Sequence, residues 1–419
     1  MNWHKILSLA VVAAMILSSC DNEDEQKVNV NQEVYNLMDD MYYWYDQMPE
    51  VDPNAYKDPV ELVNALRVYP PDRWSYVTTK AEFDAYYNQG AYVGFGFGSG
   101  FSANNELYIT FVFKNSPLAA MGIDRGWQII SIDGQTPTSE NFSSLIGPSE
   151  VGVSKKFLFK SPEGSTMEQI FTKSQIEMNS VLMDSIYTTG TFRVGYFVLE
   201  SFIGPTEAEL TGLFSKFKEE GINELVVDLR YNGGGEVGVA KYLASLIAGS
   251  SAFGKVFGTY YHNDKHQGDN SSITFTYEDN SIPLNRVVFI TTSGTASASE
   301  LVINGLKPHI EVSLVGSKTH GKPVGMYSFE FRDPSIDWVI VPICFSIRNS
   351  NNEGDYFDGI PVDVSAADDI THPFGSMDEE SLNAAFTHLG VTAKGYTRKA
   401  AVGVQPFVGK GLQGEIGAW

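Results

Sequence analysis

Ser297 and Lys322 stand 25 residues apart, the serine within Gly294-Thr295-Ala296-Ser297-Ala298-Ser299-Glu300 and the lysine within Gly321-Lys322. A serine hydroxyl becomes a nucleophile when a neighbouring base removes its proton. A lysine is such a base only when burial or nearby positive potential lowers its pKa enough to leave it neutral. Two side chains of this kind can hydrolyse an amide without histidine, as a variant of the hydrolytic triad. Ser297 falls between a strand expected at 286–292 and a helix running to about Leu306. Unpaired N–H groups and the macrodipole at such a helix start favour a developing oxyanion. The Ala298 N–H supplies one donor, and Gly234 or Gly235 supplies a second if the two strand ends are neighbours in the sheet. The same Ser-Ala-Ser triplet also suits a plain helix cap, with Ser299 capping and Ser297 in a loop.

Three kinds of element must position these residues. Val34, Leu37, Met38, Met41, Tyr42 and Tyr45 recur at spacings of three and four, which predicts an amphipathic helix over 33–48. Further helices are expected near 59–68 and 81–87, on either side of Pro70-Pro71, so that 28–88 reads as a helical domain. The Tyr42-Tyr43-Trp44-Tyr45 cluster is core or interface material, or alternatively a sugar-stacking platform. Short β-rich runs separated by glycine turns make 89–177 a small β-domain. From 178 to 395, strands alternate with helices, including a Thr206-x-x-Glu209 capping box and the turn Gly233-Gly234-Gly235, which implies an α/β layered core. The polar stretch 260–283 is expected as a loop or hairpin over that core, and 396–419 as an extension. The fold class is thus α/β and α+β multidomain.

Within the β-domain, 116–123 and 126–134 resemble the helix and strand signature of a PDZ domain. That likeness puts Gly94, Phe95, Gly96 and Phe97 in a loop whose backbone N–H groups bind a peptide's terminal carboxylate, the peptide adding as a strand. A nucleotide loop is the rival reading of these glycines, weakened because no helix-forming run follows Gly100. A second near-match to a phosphate loop, 316–323, fails at Pro323, which has neither hydroxyl nor N–H. Taken in order, Asp228-Leu229-Arg230-Tyr231-Asn232-Gly233-Gly234-Gly235, the Ser297 segment, Thr319-His320-Gly321-Lys322 and Gly359-Ile360-Pro361-Val362-Asp363 resemble the carboxy-terminal processing peptidases over roughly 90–370. The resemblance implies Ser297 as nucleophile, Lys322 as general base, and Ala298 with the Gly234-Gly235 turn as oxyanion hole. Members often carry a glutamine four residues after the lysine, to orient its amine. Here Met326 stands there, leaving Ser299, Ser317 and Thr319 as candidates.

The 419 residues carry a net charge of −22, which argues against nucleic acid or anionic lipid headgroups as partners. Lys5, an apolar run over 6–17 and Leu17-Ser18-Ser19-Cys20 read as a leader over 1–19 that resembles a bacterial lipoprotein signal, with Cys20 lipidated and an acidic tether at 20–27. Cys344 then reads as a buried small hydrophobe. His262 and His266, four apart in a turn-rich stretch, read as loop residues rather than a metal pair. The expectation is a serine endopeptidase, lipid-anchored in a bacterial cell envelope, that takes polypeptides by their free C-terminal tails and requires no metal or organic cofactor. The alternatives are a peptide-binding lipoprotein without turnover and a surface glycan-binding lipoprotein.

Overall fold

The computed structural model describes residues 28–391 and 402–419; the expected leader, Cys20 and the acidic tether lie outside the described residues. Runs such as Glu224–Asp228 and Arg286–Thr291, buried almost throughout, form strands covered on both faces. They are the centre of a six-stranded sheet whose spatial order follows the chain: Val181–Thr189, Phe192–Leu199, Glu224–Asp228, Arg286–Thr291, Glu311–Gly316, Val364–Ser365. The first pair is antiparallel and the rest are parallel. Helices Thr206–Glu219, Val237–Ala248 and Ala298–Leu306 pack Leu213, Leu243 and Val302 on one face with Phe197, Val227 and Phe289. Helix Glu380–His388 covers the other face through Leu382, Ala385 and Phe386. Because the strand order never reverses, successive crossovers deliver the loops after Asp228, Thr291 and Gly316 to the same sheet end.

A second sheet of six strands is antiparallel throughout, in the order Val404–Pro406, Phe97–Ser102, Leu107–Val112, Gln128–Ile132, Ser154–Lys160, Thr166–Thr172. Phe97, Ile109, Ile129, Phe157 and Phe159 pack beneath it with Leu118 and Phe142. Its first strand comes from the far end of the sequence, where no strand was expected.

The first helix is Val30–Met41, shorter than the periodicity predicts. Two diversions end it. The Tyr43 N–H donates to Ile343 O at 2.8 Å rather than back along the helix, and the buried Tyr42 hydroxyl bonds Asp72 Oδ2 at 2.8 Å. Tyr43, Trp44 and Tyr45 are half-buried and pack on the core around Tyr42, so the aromatic cluster is core. After helix Pro59–Leu66, strand Tyr76–Thr79 pairs with Trp338–Val341, which ties this region to the late part of the chain. The Thr206/Glu209 capping box does not form. Thr206 is the first helical residue, behind Pro205, and Glu209 accepts instead from the Ser180 and Val181 N–H groups at 3.0 and 2.8 Å. The 260–283 stretch contains the second half of a hairpin, Val256–His262 with Ser272–Thr274. Cys344 is buried, and desolvation pushes its thiol up to about 12.

Candidate active site

Ser297 is the N-cap of helix Ala298–Leu306 and has φ 55°, ψ −113°, a conformation that costs a non-glycine residue about 1–3 kcal/mol. Its surroundings hold it there. The Glu300 carboxylate accepts the Ser297 N–H at 3.0 Å, and the Leu301 N–H donates to Ser297 O at 2.8 Å. Ser299, the alternative cap, donates its hydroxyl to Asn232 O at 3.1 Å.

Glu300 is the residue that binds the loops together. It is fully buried, and it also accepts from Thr319 Oγ1 at 2.5 Å, Gly321 N at 2.7 Å and Lys322 N at 2.8 Å. Burial pushes its carboxyl up, while these hydrogen bonds pull it down. One side chain therefore fixes the serine turn and the lysine loop relative to each other. The sequence offered a signal, a carboxylate three residues after the serine in an otherwise uncharged helix.

The glycine turn lies against the serine turn, because their strands are neighbours in the sheet. A Cβ on Gly234 would lie 2.7 Å from Ser297 Cβ and 3.0 Å from Ala298 N, and one on Gly235 would lie 2.1 Å from Phe202 O. Both have positive φ, 116° and 133°, so glycine is needed twice over. The Gly234 N–H is already given to Asn232 Oδ1 at 2.9 Å. That leaves the N–H groups of Gly235 and Ala298 as the donors of the pair, a narrowing of the Gly234-or-Gly235 expectation.

Lys322 is 2% exposed. Its Nζ donates to Glu415 Oε1 at 2.8 Å and lies 5.9 Å from the Trp74 ring centroid. No hydrogen bond joins it to Ser297 among the described residues. Of the three residues suggested in place of a glutamine, none reaches Nζ: Ser299 bonds Asn232 O, Thr319 bonds Glu300, and Ser317 O accepts from Thr291 Oγ1. Met326 sits in strand Val324–Met326 and lines the cleft that holds Ser297. His320 shares the cavity of Lys322. Its Nε2 accepts from Trp74 Nε1 at 3.2 Å and its Nδ1 faces Ser293 O at 3.3 Å; burial lowers its pKa, which keeps the ring neutral.

The loop expected to bind a carboxylate is occupied by the chain itself. The N–H groups of Phe95, Gly96 and Phe97 converge on the Trp419 main-chain oxygen at 2.8, 2.7 and 3.3 Å, and Gly94 abuts the carbon that bears it. Neither Trp419 nor Glu415 was expected at these sites, since they lie 97 and 93 residues beyond Lys322 in a stretch without motifs.

Among the described residues, no helix is long and apolar enough to cross a membrane. The sequence model described as peptidase family S41 matches residues 193–355, and that described as the peptidase S41 N-terminal domain matches 29–76. A "Probable CtpA-like serine protease" of Staphylococcus haemolyticus (strain JCSC1435) is 23% identical over 324 residues, 76% of this chain and 61% of that protein. A "Carboxyl-terminal-processing protease" of Synechocystis sp. is 28% identical over 233 residues, 55% of this chain and 52% of that protein. The chain thus spans about three fifths or less of the length of these relatives. The fold is similar to that of a "Putative S41 protease" from Bacteroides fragilis NCTC 9343, with a TM-score of 0.69 at 23% identity over 86% of this chain and 98% of that one. It is also similar to a photosystem II D1 C-terminal processing protease, with a TM-score of 0.51 at 17% identity over 80% and 92%.

Proposed function

From the peptidase family S41 domains that this chain carries, we propose that it is a serine endopeptidase acting on proteins engaged through their C-terminal tails. The observation that carries this reading is Glu300, whose carboxylate accepts the Ser297 and Lys322 N–H groups together at 3.0 and 2.8 Å. Ser297 Oγ attacks the scissile carbonyl carbon while the neutral Lys322 amine takes its proton. The carbonyl oxygen becomes an oxyanion held by the Ala298 and Gly235 N–H groups. Collapse of the intermediate breaks the C–N bond, and Lys322 returns the proton to the leaving amine. Water then attacks the acyl-serine with Lys322 again as base, releasing the acid and restoring Ser297. The loop 94–97 takes the substrate tail, and Cys20 with its acidic tether anchors the chain in a bacterial cell envelope.

A binding protein without turnover is the second reading, favoured by the lysine amine being bonded to Glu415. An unfolded polypeptide with a free apolar C-terminus separates the two. Wild type should cleave it, and Ser297→Ala and Lys322→Ala should each lower kcat/KM by about 10⁴-fold or more with an unchanged circular dichroism spectrum. Binding by all three without cleavage by any supports the second reading.

A further inference from the structure

Residues 404–419 follow the path of a groove occupant. Val404–Pro406 add antiparallel to Phe97–Ser102, with Val404 opposite Ser102 and Pro406 opposite Gly100, and the Phe407 N–H continues the ladder to Ser99 O at 2.9 Å. The chain then leaves the sheet for 408–418 and returns, so that the Trp419 N–H meets Phe97 O at 2.8 Å while its oxygen fills the 94–97 loop. The excursion runs into the catalytic cleft. There the short helix Leu412–Ile416 presents Glu415 to Lys322, the Tyr86 hydroxyl donates to Glu415 O at 2.7 Å, and the Gly414 and Glu415 carbonyls lie against Gly233. Glu415 lines both the cavity of Lys322 and the cleft of Ser297, and so stands between them.

We propose that 404–419 is a built-in competitor of substrate, which closes the peptide groove and the lysine at once and is displaced by a polypeptide ending in a bulky apolar residue. This rests on the peptidase reading only for its effect on turnover. With Glu415 Oε1 on its Nζ at 2.8 Å, the lysine is engaged by a carboxylate instead of the serine hydroxyl, so the closed chain is idle. Tethering makes the closure effective even if the contacts are weak, because a short tether holds the segment at millimolar effective concentration. The fit is also imperfect in a way that permits release. The Trp419 ring packs on Phe142 and Phe407 with centroids 5.1 and 5.6 Å apart, yet its indole Nε1 is buried without a hydrogen-bond partner among the described residues. A phenylalanine in the same pocket brings no such donor.

The test measures binding, not cleavage, in the full chain carrying Ser297→Ala. The probe is a fluorescein-labelled peptide ending in Gly-Ala-Phe with a free carboxylate, and the readout is anisotropy. Apparent affinity for a partly closed site falls in proportion to the open fraction. Adding Trp419→Ala should therefore tighten binding by on the order of tenfold, and adding Glu415→Gln by a few-fold. The amidated probe should bind none of the three chains. Equal affinity in all three chains overturns the proposal. If Trp419→Ala lowers the melting temperature sharply, Glu415→Gln alone decides, because that change leaves the buried tryptophan in place. Loss of the peptidase reading would leave these affinities untouched, whereas loss of the competitor would leave cleavage by wild type intact.

Discussion

Two carboxylates grip the candidate site, and they are built differently. Glu300 is fully buried, on a helix whose every residue is buried, and receives four hydrogen bonds from the serine turn and the lysine loop. Glu415 lies on a five-residue helix and holds Lys322 through a single ion pair. The first belongs to the scaffold, since removing it strands several buried donors. The second rides on a segment that could leave without opening the core sheet. Under the proposed function the site must both keep its geometry and admit a polypeptide, which calls for a fixed carboxylate for the one and a removable carboxylate for the other.

Substitutions can break that contrast. Glu300→Ala should lower stability by at least about 3 kcal/mol, because the Ser297, Gly321 and Lys322 N–H groups lose their acceptor in a buried setting. Glu415→Ala should lower it by less than about 1 kcal/mol, as a residue on a releasable segment does. Urea unfolding of the two variants side by side measures this; equal losses would remove the distinction. Next in size, Gly235→Ala forces a Cβ to within 2.1 Å of Phe202 O and shifts the N–H proposed as an oxyanion donor. Its kcat should fall by about 10²–10³-fold with substrate affinity little changed. Steady-state kinetics separates the two constants.

A third carboxylate sharpens the contrast by its pH response. Glu200 is buried, its Oε2 has no hydrogen-bond partner among the described residues, and Gly417 packs nearby. Desolvation raises its pKa to about 8, with the nearby Ser201 hydroxyl opposing and the charge of Glu209 helping. With the folded pKa above the unfolded one, the folded chain binds the extra proton between about pH 4.5 and 8, so the stabilisation present at acid pH is lost as pH rises through that window. Glu200→Gln cannot ionise. Its melting temperature should gain on wild type from pH 5 to about pH 8 and level off above that, and a constant difference would contradict the raised pKa.

The positions proposed to carry chemistry stand out in the sequence because local conformation demands their residue types. Glycine at 234 and 235 answers to positive φ and a missing Cβ, and a small-residue run around Ser297 answers to the tight turn after a buried strand. The order of strands and helices was legible from burial and periodicity. Contacts set by tertiary structure were hidden. The end of the first helix depends on Ile343 and Asp72, the orientation of Glu209 on Ser180, and the occupant of the 94–97 loop on Trp419. None of these pairs is close in sequence, and no residue pattern announces them.

The central claim, that Ser297 is acylated with Lys322 as its base, is tested most directly by trapping. Wild type mixed with an unfolded polypeptide ending in an apolar residue is quenched in acid after a few turnovers, digested and mapped by mass spectrometry. The account predicts a substrate-derived acyl group on the peptide that contains Ser297, and its absence in Lys322→Ala. Cleavage by wild type with Ser297 unmodified and with equal rates in both chains would contradict it.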